Sequence, residues 1–77
     1  MLLTGVLYKF KRQMQFYSNG NFIWSFKKND LMIILGIEKH NLCMFYIIYS
    51  ITENSLCFCK DYRHVTGTNL ESAITRV

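Results

Sequence analysis

Three cysteines, Cys43, Cys57 and Cys59, are the side chains here best suited to covalent or metal chemistry. Zinc takes thiolates and imidazoles in a tetrahedron, and its structural sites usually begin with a pair of ligands that have two to four residues between them. Cys57-x-Cys59 is tighter than such a pair, and Cys43 lies inside an apolar run. Neither His40 nor His64 supplies the missing spacing, so the pattern predicts no metal and no other cofactor. On a strand, Cys57 and Cys59 share one face, which makes them neighbours in a core or an interface, where cysteine behaves as a small hydrophobe. Catalytic patterns are absent as well. The five acids are scattered through predicted turns and the tail, and there is no glycine-rich phosphate loop, no Ser-His-Asp set and no metal-binding His-Glu helix. Cys59 with His64 is a spacing that most often arises by accident. The sequence therefore predicts a non-enzyme with no small-molecule substrate. Asp30, following Asn29, is read as a turn former whose carboxylate bonds nearby amides.

The positive charge is unevenly placed. Lys9, Lys11, Arg12, Lys27 and Lys28 all precede the first acid, Asp30, whereas the remainder of the chain is close to neutral and the total is +4. These five bases are interleaved with Tyr8, Phe10, Phe16, Tyr17 and Trp24. A basic, aromatic region of this kind fits contact with nucleic acid, and it equally fits a solvated strand face. Lys60 and Arg63, with His64 and beside Tyr62, form a second small cluster. Lysine and arginine there could contact phosphates or guanine edges, or simply face solvent at a strand end.

Hydrophobic residues make up 51 % of the 77 residues and aromatics 16 %, against 18 % charged, which excludes a disordered tail. One domain, residues 1–77, is expected, and a chain of this size has a thin core. It carries more apolar side chains than such a core can hide, which predicts a partner or a second copy covering the excess. Candidate interface residues are Phe16, Tyr17, Phe22, Trp24, Tyr46 and Tyr49. The odd cysteine count and the lack of a secretory leader predict a reducing, cytoplasmic setting. The longest apolar run, Leu42 to Ile51, falls well short of the roughly 20 residues of a membrane helix, so no membrane association is expected.

Elements follow from alternation and punctuation. Residues 4–11 read as a first strand and Met14 to Tyr17 as a second. Asn19-Gly20 predicts a type I′ hairpin turn, after which Phe22 to Phe26 returns with Phe22, Trp24 and Phe26 on one face. Lys27 to Asp30 is a turn, and Leu31 to Ile37 a buried strand in which Gly36 suggests a bulge. Glu38 to Asn41 is the next turn. Leu42 to Ile51 is a long strand, Thr52 to Asn54 a turn and Ser55 to Cys59 a short strand. Lys60 to His64 is a helical turn or a strand end, Thr66 to Asn69 a loop, and 67–77 a frayed or weakly helical tail. The fold class is thus mainly β: a small antiparallel sheet or partly open SH3-like barrel of five to six strands.

Two stretches carry a resemblance to a known family. Phe22-Ile-Trp-Ser-Phe-Lys-Lys-Asn-Asp-Leu-Met resembles a segment near the C-terminus of the RNA-guided CRISPR nucleases of type II, especially type II-C, where a strand ending in Ser-Leu or Ser-Phe leads through a polar residue and Asn-Asp into an aliphatic strand. Met44 to Ile51 and Ser55 to His64 are similar to the next part of those nucleases, an aliphatic-aromatic strand and then an aromatic strand with a basic end. Residues 20–66 are covered. In that resemblance Lys60, Arg63 and His64 match the basic strand end of the family's PAM-interacting module, with Asp61 and Tyr62 intervening. The resemblance implies a stand-alone copy of that module. It also implies a partner, a type II CRISPR nuclease with its guide RNA and target DNA, which the chain joins as a pro-CRISPR accessory homodimer. An anti-CRISPR inhibitor mimicking the same module, and a general SH3-like nucleic-acid-binding domain, are the alternatives.

Overall fold

A computed structural model describes residues 2–18, 21–40, 43–62 and 70–77. Among these residues, seven strands and one short helix run in chain order: β1 (Leu7–Phe10), β2 (Met14–Ser18), β3 (Asn21–Phe26), β4 (Leu31–His40), β5 (Cys43–Ser50), β6 (Ser55–Tyr62), α1 (Leu70–Ala73) and β7 (Ile74–Arg76). Five of the strands form one antiparallel sheet in the order β6-β5-β4-β1-β7, and β2 and β3 pair as a separate two-stranded sheet. The fold is mainly β, as expected, and among the described residues the sheet does not close into a barrel.

The two sheets meet through aromatic packing. Phe10 on β1 and Phe26 on β3 are fully buried and stack with ring centroids 4.3 Å apart and planes 12° from parallel. Around them the core gathers Met14, Met32, Ile34, Tyr46, Ile48, Leu70 and Ile74, with Cys57 and Cys59 from β6. Burial of this apolar surface is the main stabilising term for so small a chain. Between β3 and β4 the chain turns over Lys27–Asp30. Asn29 takes a left-handed φ of 76°, the Asp30 carboxylate accepts from the Lys27 amide at 2.8 Å, and the Asp30 amide donates to the Lys27 carbonyl at 3.1 Å. Asp30 is therefore the turn former the sequence suggests: a short carboxylate closing its own turn.

The bulge expected at Gly36 is present. Ile34 pairs with Ile48 and Gly36 with Ile47, leaving Leu35 as the extra residue, and Leu35 projects outward. A methyl group at Gly36 would come within 3.3 Å of the Ile47 side chain, so the missing Cβ lets the strands close up beside the bulge.

Several boundaries move. β1 is shorter than 4–11, because Thr4 and Gly5 form a turn in which Gly5 takes a φ of 74°. β4 extends to His40, because Glu38, Lys39 and His40 pair with Phe45, Met44 and Cys43. This pairing replaces most of the expected Glu38–Asn41 turn. β6 continues as strand to Tyr62 because Lys60 and Asp61 pair with Phe45 and Met44. The 67–77 tail is not frayed over its described part. Leu70 and Ala73 are fully buried, and β7 adds to the sheet through Tyr8–Arg76, Lys9–Thr75 and Phe10–Ile74. The Asn19-Gly20 turn and the Thr66–Asn69 loop lie outside the described residues, although the Ser18–Asn21 pair brackets the first of them. No helix among the described residues is long and apolar enough to cross a membrane.

Candidate binding surfaces

Alternation along β5 and β6 divides their side chains between two faces. Tyr46, Ile48 and Ser50 on β5, with Cys57 and Cys59 on β6, turn into the core. Phe45 and Ile47 must then face outward with Tyr49, beside Phe58 and Leu56 of β6, through the pairs Ile47–Phe58 and Tyr49–Leu56. Phe58 is 68 % exposed and Leu56 54 %, values unusual for large apolar side chains on a regular strand. Lys60 closes the row, its ammonium 5.5 Å from the centre of the Phe45 ring that it faces across the strands, within reach of a cation–π attraction. At the other end the half-buried Tyr49 gives a hydrogen bond from its hydroxyl to the Asn54 side chain. β6 is also an outer strand of its sheet, so the apolar row lies along an edge.

A basic corner forms where the end of β1 meets the β3–β4 turn. The Asn29 amide donates to the Phe10 carbonyl at 2.8 Å and the Phe10 amide to the Asp30 carbonyl at 3.0 Å. These bonds hold Lys27 and Lys28 beside Lys9, Lys11 and Arg12, and all five side chains are exposed. The C-terminal segment braces the same corner: the Lys11 amide donates to the Ala73 carbonyl at 2.8 Å, and the Arg12 guanidinium to the Ser72 hydroxyl at 3.1 Å. The five early bases are thus one group in space as well as in sequence. Lys60 is not part of it. β4 and β5 separate β6 from β1, and Lys60 lies level with Glu38 while Lys9 lies level with Leu31, roughly 20 Å back along the strand direction. Arg63 lies outside the described residues.

The expected interface set divides in the same way. Phe16 pairs with Trp24 and Tyr17 with Phe22 in the β2–β3 hairpin. Tyr49 belongs to the outer face. Tyr46 is corrected: it is 1 % exposed and fills the core, because it alternates with the outward Phe45 and Ile47. Among the exposed residues that sequence reasoning missed, Phe45, Ile47, Leu56 and Phe58 lie together on this face. One signal could have found the last two: with Cys57 and Cys59 placed on the buried face, Leu56 and Phe58 have to point the other way.

The cysteines are all reduced and buried. Cys57 and Cys59 do share a face, and their sulfurs stand 3.1 Å apart in a thiol–thiol hydrogen bond. This bond holds the Cys57 thiol pKa below its ordinary value, with burial pulling the other way. Strand parity sets Cys43 with Phe45 and Ile47, on the opposite face from that pair. No group of three or more potential metal ligands occurs among the described residues. Compared with known proteins, the chain matches no family model, no curated protein and no solved structure.

Proposed function

We propose that this chain is a non-enzymatic binding module that docks a protein through the outer face of β5 and β6 and meets nucleic-acid phosphates with the basic corner at the end of β1. The observation that carries the reading is the exposed apolar row made by Phe45 and Ile47 on β5 with Leu56 and Phe58 on β6, the outer strand of eight residues. A contiguous apolar row is costly in water and becomes favourable when a partner covers it, and an outer strand offers backbone groups to the same partner. The basic corner adds attraction for polyanions.

The partner in this proposal is a type II CRISPR nuclease loaded with guide RNA and target DNA, met in the cytoplasm by a homodimer of the chain that promotes DNA binding and cleavage. That identity rests on the resemblance of residues 20–66 to the PAM-interacting module. Cleavage by such a nuclease, measured with and without the purified chain, tests it. A faster cleavage rate together with co-elution is the expected result. Co-elution with loss of cutting makes the chain an inhibitor of the same surface, and no co-elution removes the nuclease from the reading. The basic corner separately favours a nucleic-acid-binding domain acting alone. In that case the isolated chain binds duplex DNA at low salt, and Lys27→Glu with Lys28→Glu flattens the salt dependence by about one to two logarithmic slope units.

A further inference from the structure

We propose that Cys57 and Cys59 are a reversible dithiol–disulfide pair, a covalent modification site built into strand β6. The inference is independent of the docking reading above. Both thiols are reduced and nearly fully buried, they project from the same face of one strand, and their sulfurs are already 3.1 Å apart. Cys43 stands on the other face and cannot compete from there. Alternate residues of a strand lie about 6.6 Å apart at Cα, the upper end of the roughly 4.4–6.8 Å that a disulfide spans. Bonding is therefore possible, and it requires the strand to shorten at the residue between.

The oxidant is a low-molecular-weight disulfide such as oxidised glutathione. The Cys57 thiolate attacks one of its sulfurs, the glutathione S–S bond breaks and one glutathione thiolate leaves. Cys59, giving up its proton, then attacks the Cys57 sulfur of the mixed disulfide and expels the second glutathione thiolate. The two protein thiols lose two electrons and two protons, and the two glutathione sulfurs gain them. Both cysteines are buried, so the reaction proceeds through opening of β6. As an outer strand, β6 has a ladder partner only in β5 among the strands of its sheet, and an edge of this kind is the easiest part of a sheet to open. Once formed, the bond pulls Cys57 and Cys59 together, buckles the chain at Phe58 and disturbs the Ile47–Phe58 pair. The redox state of two core residues thereby sets the shape of the exposed row on the opposite face.

The test uses the folded wild-type chain exposed to excess oxidised glutathione, quenched with acid, unfolded, alkylated and weighed. The expected product has lost about 2 Da, the mass of two hydrogens, and takes up one alkyl group where the reduced chain takes three. Dithiothreitol restores all three, and backbone amides over 56–60 exchange faster in the oxidised form. Cys43→Ser is expected to keep the mass loss, and Cys59→Ser to accumulate a single glutathione adduct instead. Two stable glutathione adducts on the wild type, fragmentation that places Cys43 in the bond, or three alkylatable thiols after prolonged exposure would each overturn the assignment. Fragmentation of the wild-type product decides the connectivity even if Cys43→Ser does not fold.

Discussion

The two outer strands of the five-stranded sheet are built in opposite ways. β7 is three residues long, is preceded by α1, and has Thr75 and Arg76 exposed beside Lys9. β6 is eight residues long and exposes Leu56 and Phe58. Short, charged edges resist further pairing, whereas long apolar ones invite it. The contrast shows that one sheet can be protected at one end and left adhesive at the other. The β7 end buries Leu70, Ala73 and Ile74 and is held by the hydrogen bonds of Lys11 and Arg12 to Ala73 and Ser72.

Three substitutions probe that contrast. The largest effect is expected from Leu70→Ala, which empties a fully buried position under the protected end; the loss should be about 2–5 kcal/mol in urea unfolding, with β7 amides opening first. A loss below about 1 kcal/mol would mean that α1 covers nothing essential. Asp30→Ala comes next. It leaves the Lys27 amide without its carboxylate partner, at a cost of about 1–3 kcal/mol in the same measurement, and it should loosen the basic corner more than β6. The smallest change in stability, within about 0.5 kcal/mol, is expected for Phe58→Lys, since that side chain is mostly in water already. The same substitution should weaken co-elution with the nuclease, the partner proposed for this face. If Phe58→Lys leaves co-elution intact, the adhesive edge is not where that partner docks.

Much of the fold was legible because the local signals are physical. Asn29-Asp30 closes a turn by its own carboxylate, and Gly36 marks the bulge by lacking a Cβ. β7 was not legible. Ile74-Thr-Arg76 carries no strand pattern of its own and exists through pairing with Tyr8 to Phe10 at the far end of the chain. The inward turn of Tyr46 was hidden for another reason. Phe45, Tyr46, Ile47 and Ile48 are all apolar, so the sequence offers no contrast between the two faces, and only the ladder to β6 decides them. The basic corner could be read as a composition shift in the first third. The separation of Lys60 from it could not, because it depends on strand order.

The bulge at Leu35 has a consequence for how β4 tolerates change in length. Leu35 is one residue more than the ladder to β5 requires: Ile34 and Gly36 already occupy successive partners. A chain lacking Leu35 would still place Met32, Ile34 and Ile37 on one side and Ile33 and Glu38 on the other. A deletion at Ile33 could draw on the same spare position, exchanging Ile34 for Leu35 in the core. An insertion finds no such reserve and must push a second residue out of the ladder. Over this stretch, the strand can lose one residue more easily than it can gain one.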